Sequence, residues 1–420
     1  MERSTLNRKS FFYYLVAVIL AVICGTSNMP ALWQAGAFCS EIFIRIFRCI
    51  SMPIISLSVI VALSSCESSG RMRTIWKRTL FYTFSTTITA ATVAALLYAI
   101  ISPANVTATA GTMSAPAVQH GYLYYLLDTI PDDVLAAFIQ HKVLSVLLIS
   151  IITGICIRYI PEDDTKRVVL KFFQGLHGIF LHVTKFIVRA LPVGMFGFIC
   201  VSIQESRTGI QLVEMGKYFL VVVSANVLQG LVVLPLWLLI KGINPLKAFR
   251  GMLPALSVAF FSKSSSAALP VTIEMAEKNL HIHRQTSRFV LPLCTTINMN
   301  GCAAFIFTTV TYLMQNHGFP VSPASMVLWV FIATIAAVGN AGVPMGCFML
   351  STSLLSTMGV PTQLMGMILP FYGIVDMIET ALNVWSDSCV ATAVDGPECL
   401  RIRKFSHEKS WQRSGINDRA

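Results

Sequence analysis

Apolar runs of bilayer-crossing length recur along this chain, with short clusters of lysine and arginine between them. Inside hydrocarbon every backbone N–H and C=O must be satisfied within its own segment, so such runs fold as helices. Of the 420 residues 55% are hydrophobic and 12% charged, against about a quarter charged in a soluble domain. The composition predicts an all-α, polytopic membrane protein. Full spans are expected near Phe11–Cys24, Phe38–Ser65, Trp76–Ser102, Tyr122–Tyr159, Val168–Ile203 and Tyr218–Ile240. The fourth and fifth exceed the length a bilayer needs, so they tilt, break or extend beyond it. Asp132, Asp133 and His141 suggest a break in the fourth.

A net charge of +11 could signal nucleic acid, but its distribution excludes that partner. The basic residues sit between apolar runs, as the positive-inside rule requires. Arg3, Arg8 and Lys9 precede the first span, and Arg71, Arg73, Lys77 and Arg78 follow the second. Arg158, Lys166 and Arg167 follow the fourth, Lys241, Lys247 and Arg250 the sixth, and Arg401, Arg403 and Lys404 the last. The loops Gly25–Glu41 and Pro103–His141 contain no Lys or Arg. This alternation places both termini in the cytoplasm and makes the number of full spans even. The first run lacks a convincing small-residue cleavage site and reads as a retained helix. The eleven cysteines lie mostly within apolar runs without a C-x-x-C pair. They read as buried, inert thiols, with neither a disulfide framework nor a metal site.

The second half differs. Pro245–Leu280 contains Lys263-Ser264-Ser265-Ser266-Ala-Ala-Leu269-Pro270, and Met326–Val360 contains Val338-Gly339-Asn340-Ala341-Gly342-Val343-Pro344-Met345-Gly346. Each apolar segment is interrupted near its middle. Irregular backbone at membrane depth is tolerated only where it is buried or lines a cavity, and two such segments point to a transport site built from half-helix ends. Between them, Thr295-Thr296-Ile297-Asn298-Met299-Asn300-Gly301-Cys302 either glues helices together or opens one so that carbonyls face a cation. Last, Asp376, Glu379, Thr380, Asn383 and Asp387 fall on one face of a helix within Met365–Val394. Three carboxylates in a membrane helix cost about 3 kcal/mol each on insertion scales, and bound cations or an ammonium group would compensate them.

Together these motifs resemble the dicarboxylate/amino acid:cation symporters, the glutamate transporter family. The resemblance rests on Ser264-Ser-Ser-Ala-Ala-Leu-Pro270, Asn298-Met-Asn-Gly-Cys302, Ala341-Gly-Val-Pro-Met345 and Asp376-x-x-Glu-Thr-x-x-Asn-Val-x-x-Asp387, in the family's order. Weaker similarity covers nearly the whole chain. The resemblance implies eight transmembrane helices plus two re-entrant helical hairpins, an elevator-type mechanism and a homotrimer. It implies scaffold helices in 1–75 and 121–210, the third helix and an extracellular loop in 76–120, a transport core in 211–400 and a cytoplasmic tail in 401–420. A bacterial inner-membrane location and contact with membrane lipid are expected.

Carried over by position, Asp376 would take the ammonium of an amino acid and Asn383 its α-carboxylate, with Thr380 and backbone near Ser265 and Val343 completing the pocket. Asp387 would bind a sodium ion with carbonyls of Cys294, Asn298 and Asn383. A second sodium would use carbonyls of Thr296, Ala337, Val338 and Asn340, and a third would involve Tyr82, Ser85, Thr86, Asn298 and Asn300. No organic cofactor is implied; the coupled ion is sodium, with a proton as the alternative.

Two departures bear on the substrate. Glu379 stands where acidic-substrate members carry an Arg, and Cys302 stands where they carry a Thr. No Lys or Arg occurs from Phe289 to Leu400 to repair the reversal. Glu379-Thr-Ala-Leu-Asn383 also resembles the sodium/serine-threonine branch. A small neutral amino acid is expected, such as serine, threonine or alanine; glutamate, aspartate or a dicarboxylate is the alternative, and a cationic substrate is compatible with Glu379. Lys263 is either a solvated gate lysine or a charge partner for Glu379 or Asp376. Asn300 replaces an Asp of the third site, so fewer coupled sodium ions are expected, and Met345 replaces a hairpin Gly. An ion channel would carry rings of like residues rather than one asymmetric stripe. A hydrolase would need a base beside Ser264–Ser266, where only Lys263 offers one. The reading is a transporter, not an enzyme.

Overall fold

The computed structural model describes residues 16–27, 29–64, 70–105, 130–140, 142–206, 212–340, 342, 345–396 and 400. The described residues are helical, without a β-sheet. In chain order the helices are α1 (Val16–Thr26), α2 (Pro30–Ser64), α3 (Gly70–Ile101), α4 (Val134–Ile139), α5 (Val143–Arg158), α6 (Asp163–Ser206), α7 (Leu212–Leu228) and α8 (Leu234–Ile240). They continue with α9 (Pro245–Ser262), α10 (Ser265–Lys278), α11 (Arg284–Ile297), α12 (Asn300–Asn316), α13 (Pro323–Ala337), α14 (Gly346–Thr357) and α15 (Gln363–Asp395). Among the described residues, five helical stretches are long and apolar enough to cross a membrane: Thr74–Ile101, Met215–Ile240, Arg284–Asn316, Pro323–Asn340 and Leu364–Asp395.

The expected fourth span is broken. Asp133 caps α4 by accepting from the backbone N–H groups of Leu135 (2.6 Å) and Ala136 (3.2 Å), and α5 starts only at Val143. His141 and the loop residues 106–129 lie outside the described residues. The expected fifth span is instead one unbroken helix of 44 residues with Pro192 inside it. At about 1.5 Å per residue it is roughly twice the length needed for a hydrocarbon core of about 30 Å, so it extends beyond one.

Helix α6 packs along α2, and glycines set the crossing. A Cβ on Gly197 would lie 2.5 Å from the Ser40 backbone N and 2.6 Å from the Gly36 carbonyl oxygen. Only small residues let two backbones approach this closely. Gly175 on the same helix faces open space. Gly197→Val is therefore expected to destabilise the fold by about 2 kcal/mol or more through overpacking, whereas Gly175→Val stays near the small cost of a surface change. Thermal unfolding of the detergent-solubilised variants, side by side, checks this.

Helix α12 is the centre of the molecule. Every residue from Asn300 to Met314 is buried, which explains its lack of a polar face. It packs against α3, α7, α13, α14 and α15. Around it, large apolar side chains such as Phe81, Ile100, Leu220, Ile240, Phe261 and Ile374 remain exposed.

Helix α7 passes into α8 through a π-turn, Gln229–Val233, that the sequence did not suggest. The turn releases the Gly230 carbonyl, which accepts the Trp385 indole N–H at 3.0 Å, and Gln229 Nε2 donates to the Thr86 carbonyl at 3.2 Å. One irregularity thus ties α7 to both α3 and α15.

Candidate functional site

The two interrupted segments break as expected. Helix α9 ends at Lys263 in the left-handed region (φ 54°), and α10 begins after Ser264, whose side chain accepts from the Ala267 N–H. Helix α13 runs into a 3-10 turn, Val338–Asn340, and α14 starts after Met345, also left-handed at φ 64°. A left-handed conformation at a residue with a Cβ costs about 1–2 kcal/mol, so Met345 occupies a glycine position under strain. The breaks meet. Ser264 Oγ donates to the Gly342 carbonyl at 3.1 Å, and the Ser266 N–H donates to the same oxygen at 3.3 Å. A Cβ on Gly342, which has φ 62°, would sit 2.7 Å from the Thr295 carbonyl. Val343, with Ala341 and Pro344, lies outside the described residues.

Between the two breaks the α11–α12 rod opens at Asn298 (φ −101°, ψ 73°) and Met299 (φ −110°, ψ 67°). Their dihedrals leave the helical region, while the Asn298 N–H still donates to the Cys294 carbonyl (2.8 Å) and the Met299 carbonyl still accepts from the Ala303 N–H (3.0 Å); side chains bridge the opening. Asn298 Nδ2 donates to Asp387 Oδ1 and to Ser386 Oγ, both at 2.9 Å, while its oxygen accepts from Thr86 Oγ at 3.1 Å. Asn300 Nδ2 donates to Ser386 Oγ at 2.8 Å, and its oxygen accepts from Thr87 Oγ at 3.0 Å. The Asn that replaces an Asp is thus engaged at both ends, linking α3 to α15.

Asp387 is 1% exposed. Its second oxygen faces Thr295 Oγ at 3.5 Å, but that hydroxyl has one hydrogen and the Leu291 carbonyl takes it at 2.8 Å. One carboxylate oxygen is therefore left facing lone pairs, an arrangement that a cation between them would relieve.

Nearer the hairpin tips, Asp376 Oδ2 accepts from the Met345 N–H at 3.2 Å. The Tyr372 hydroxyl lies 3.5 Å from Asp376 Oδ1 and 3.3 Å from Glu379 Oε2. Glu379 Oε1 is buried without a hydrogen-bond partner, and no described cation forms an ion pair with this residue. The Lys263 ammonium lies against α15, where a Cβ on Gly373 would be 3.3 Å from it, and it acts electrostatically on Asp376. Asn383 Oδ1 accepts from the Gly301 N–H at 2.8 Å and its Nδ2 faces Cys302 Sγ at 3.4 Å. Thr380 Oγ returns to the Asp376 carbonyl at 2.7 Å. Ser265 is buried at the first turn of α10.

The structure corrects one expectation outright. Cys302 and Cys347 are not inert thiols but form a disulfide, with Cα atoms 5.4 Å apart. Their separation of 45 residues in sequence gives no hint of it, because the pair arises only when α14 packs on the start of α12. Asn340 Nδ2 points at Cys302 Sγ (2.9 Å).

Not every anticipated residue converges with its side chain. Tyr82 turns away to stack edge-on against Trp237 under Lys241. Ser85 is half-buried and contributes its carbonyl to Thr89. Thr296 bonds the Leu293 carbonyl, and the Cys294 thiol faces Thr83, so either would act only through its backbone. Ala337 and Val338 lie at the end of α13 beside Asn340. The residues overlooked are Thr87, Thr295, Tyr372, Ser386 and Cys347. Tyr372, four and seven positions before Asp376 and Glu379, was legible from helical periodicity alone.

Away from this region Arg288 Nε donates to Glu277 Oε1 at 3.0 Å, and that hydrogen bond holds the Glu277 carboxyl below its usual range.

The pattern of the sodium:dicarboxylate symporter family matches residues 11–396. The chain is 25% identical over 438 residues to excitatory amino acid transporter 3 of Mus musculus, spanning 89% of this chain and 82% of that protein. It is 26% identical over 398 residues to neutral amino acid transporter A of Homo sapiens, spanning 84% and 74%. A candidate sodium-dependent excitatory amino acid transporter of Caenorhabditis elegans, glt-4, is 31% identical over 279 residues, 66% of this chain and 55% of that protein. With broken helices meeting at a buried polar site and a family pattern covering nearly the whole length, the chain belongs to the sodium:dicarboxylate symporter family.

Proposed function

We propose that this protein is a sodium-coupled symporter of small neutral amino acids. It works as a homotrimer in a bacterial inner membrane, with both termini cytoplasmic, eight transmembrane helices and two re-entrant hairpins. The elevator motion carries α9–α15 with α3, α7 and α8 against a scaffold of α1, α2 and α4–α6. The observation that carries the substrate assignment is Glu379: a buried carboxylate without a cationic partner among the described residues, where a substrate side-chain carboxylate would be repelled. Asp376 takes the substrate ammonium. The N-terminal ends of α10 and α14, the positive ends of two half-helix dipoles, lie beside it and suit the α-carboxylate together with Asn383. Sodium occupies the region of Asp387, where the spare carboxylate oxygen faces Thr295.

Lys263 beside Asp376 favours the second reading, an acidic substrate whose carboxylate meets the lysine. Uptake into proteoliposomes under an inward sodium gradient separates the two. Serine, threonine and alanine are expected to compete for uptake at concentrations at least about 100-fold lower than aspartate or glutamate, the size of one mispaired buried charge. Inhibition by aspartate with none by serine would overturn the neutral assignment. Uptake that persists without sodium but collapses with the proton gradient would overturn the ion.

A further inference from the structure

Three ligand atoms from three helices converge at the start of α12. The sulfurs of Cys302 and Cys347 and a carboxylate oxygen of Glu379 all lie within 4.8 Å of one another, and all three residues are buried. Two observations beyond proximity point to a ligand. Glu379 Oε1, on a side chain 1% exposed, has no hydrogen-bond partner, while Tyr372 orients the other oxygen. An orphaned buried carboxylate oxygen is costly unless a proton or a cation meets it. In addition, two side-chain amides aim at one sulfur, Asn340 Nδ2 at 2.9 Å and Asn383 Nδ2 at 3.4 Å from Cys302 Sγ. N–H donors directed at sulfur favour the thiolate, the form that ligates metal, and outer-shell bonds of this kind orient metal ligands.

We propose that, when their disulfide is reduced, Cys302, Cys347 and Glu379 bind one soft divalent cation of the Zn2+ or Cd2+ kind. Two equivalents of a thiol supply the two electrons and two protons and become a disulfide, whereas a phosphine supplies the electrons and becomes its oxide while water supplies the oxygen and the protons. Either way two thiols are left, and binding releases their two protons as two metal–sulfur bonds form. Zn–S bonds of about 2.3 Å place tetrahedral ligands about 3.7 Å apart, which the convergence accommodates. The fourth position is open to water. Two sulfurs exclude sodium, a hard ion, and select a soft one, so this site is chemically separate from Asp387, whose hydrogen-bonding neighbours are Asn298 and Thr295. The oxidised pair has no thiolate to offer, so this site then binds no ion. A bound ion ties α12, α14 and α15 together at the hairpin break.

The test reads binding directly and is independent of whether the chain carries amino acids. Purified protein kept in a phosphine reductant is titrated with Cd2+, and the thiolate-to-Cd2+ charge-transfer absorption is followed. One Cd2+ per chain is expected in the parent. The band is lost in Cys302→Ser and in Cys347→Ser, and affinity falls about 10- to 100-fold in Asn340→Ala, as for an outer-shell ligand. A band that survives in both cysteine variants, or is absent from the reduced parent, overturns the proposal. A second readout needs no variant: Cd2+ slows alkylation of Cys302 and Cys347 in the parent, measured by mass spectrometry, and equal rates with and without the ion overturn it.

Discussion

Asp387→Asn is expected to abolish sodium-dependent uptake and to weaken sodium binding about 100-fold or more. Removing one partner from a buried charge pair costs about 3–5 kcal/mol, and every 1.4 kcal/mol is tenfold. The asparagine still fits and can keep a bond to Asn298, so the fold survives while the charge is lost. Asp387 is buried at 1% exposure, and the side chains within hydrogen-bonding reach of it, Asn298 and Thr295, are neutral. No neighbouring carboxylate can substitute for it. The measurement is the sodium-induced rise in unfolding temperature together with uptake at graded sodium. An unchanged sodium response in Asp387→Asn would remove the ion from this position.

Asp376→Asn is expected to give the complementary result. Amino acid binding falls by about 2–5 kcal/mol, the cost of deleting one side of a buried hydrogen-bonded charge pair, while the sodium-induced stabilisation persists. Asp376 sits eleven positions before Asp387 on α15, one at the hairpin tips and the other beside the Asn298 break. Two sites on one helix should therefore fail separately. Radiolabelled substrate binding and the thermal shift, measured on the same preparations, distinguish them. Loss of both responses in Asp376→Asn would mean that the two carboxylates serve one site.

Much of this arrangement was legible in the residues. Helical periodicity put Asp376, Glu379, Asn383 and Asp387 on one face, and all are buried together. The breaks at Lys263–Ser264 and Asn298–Met299 follow local chemistry: Ser caps a helix, and Asn and Gly leave one readily. The π-turn at Gln229–Val233 was not legible, because its cause is not local; it is held by Trp385 and by the Thr86 carbonyl, both distant in sequence. The third cation position was read through Tyr82, Ser85 and Thr86 with Asn298 and Asn300. Helix α3 turns Thr86 to Asn298 and adds Thr87 at Asn300, while Tyr82 turns away, a matter of rotation that a weakly amphipathic helix does not encode.

The sequence by itself determined the helical class, the alternation of basic loops, the interrupted segments and the charged stripe, because each depends on spacing within one segment and on the energy of burying backbone and charge in hydrocarbon. Only the tertiary structure decided which side chains complete one another. It joined the tips at Gly342, set Lys263 beside Asp376 rather than in an ion pair with Glu379, and brought Cys347 to Cys302. Those pairings come from how α12, α14 and α15 rotate and pack, and packing is fixed by contacts between helices, which no periodicity within one helix can specify.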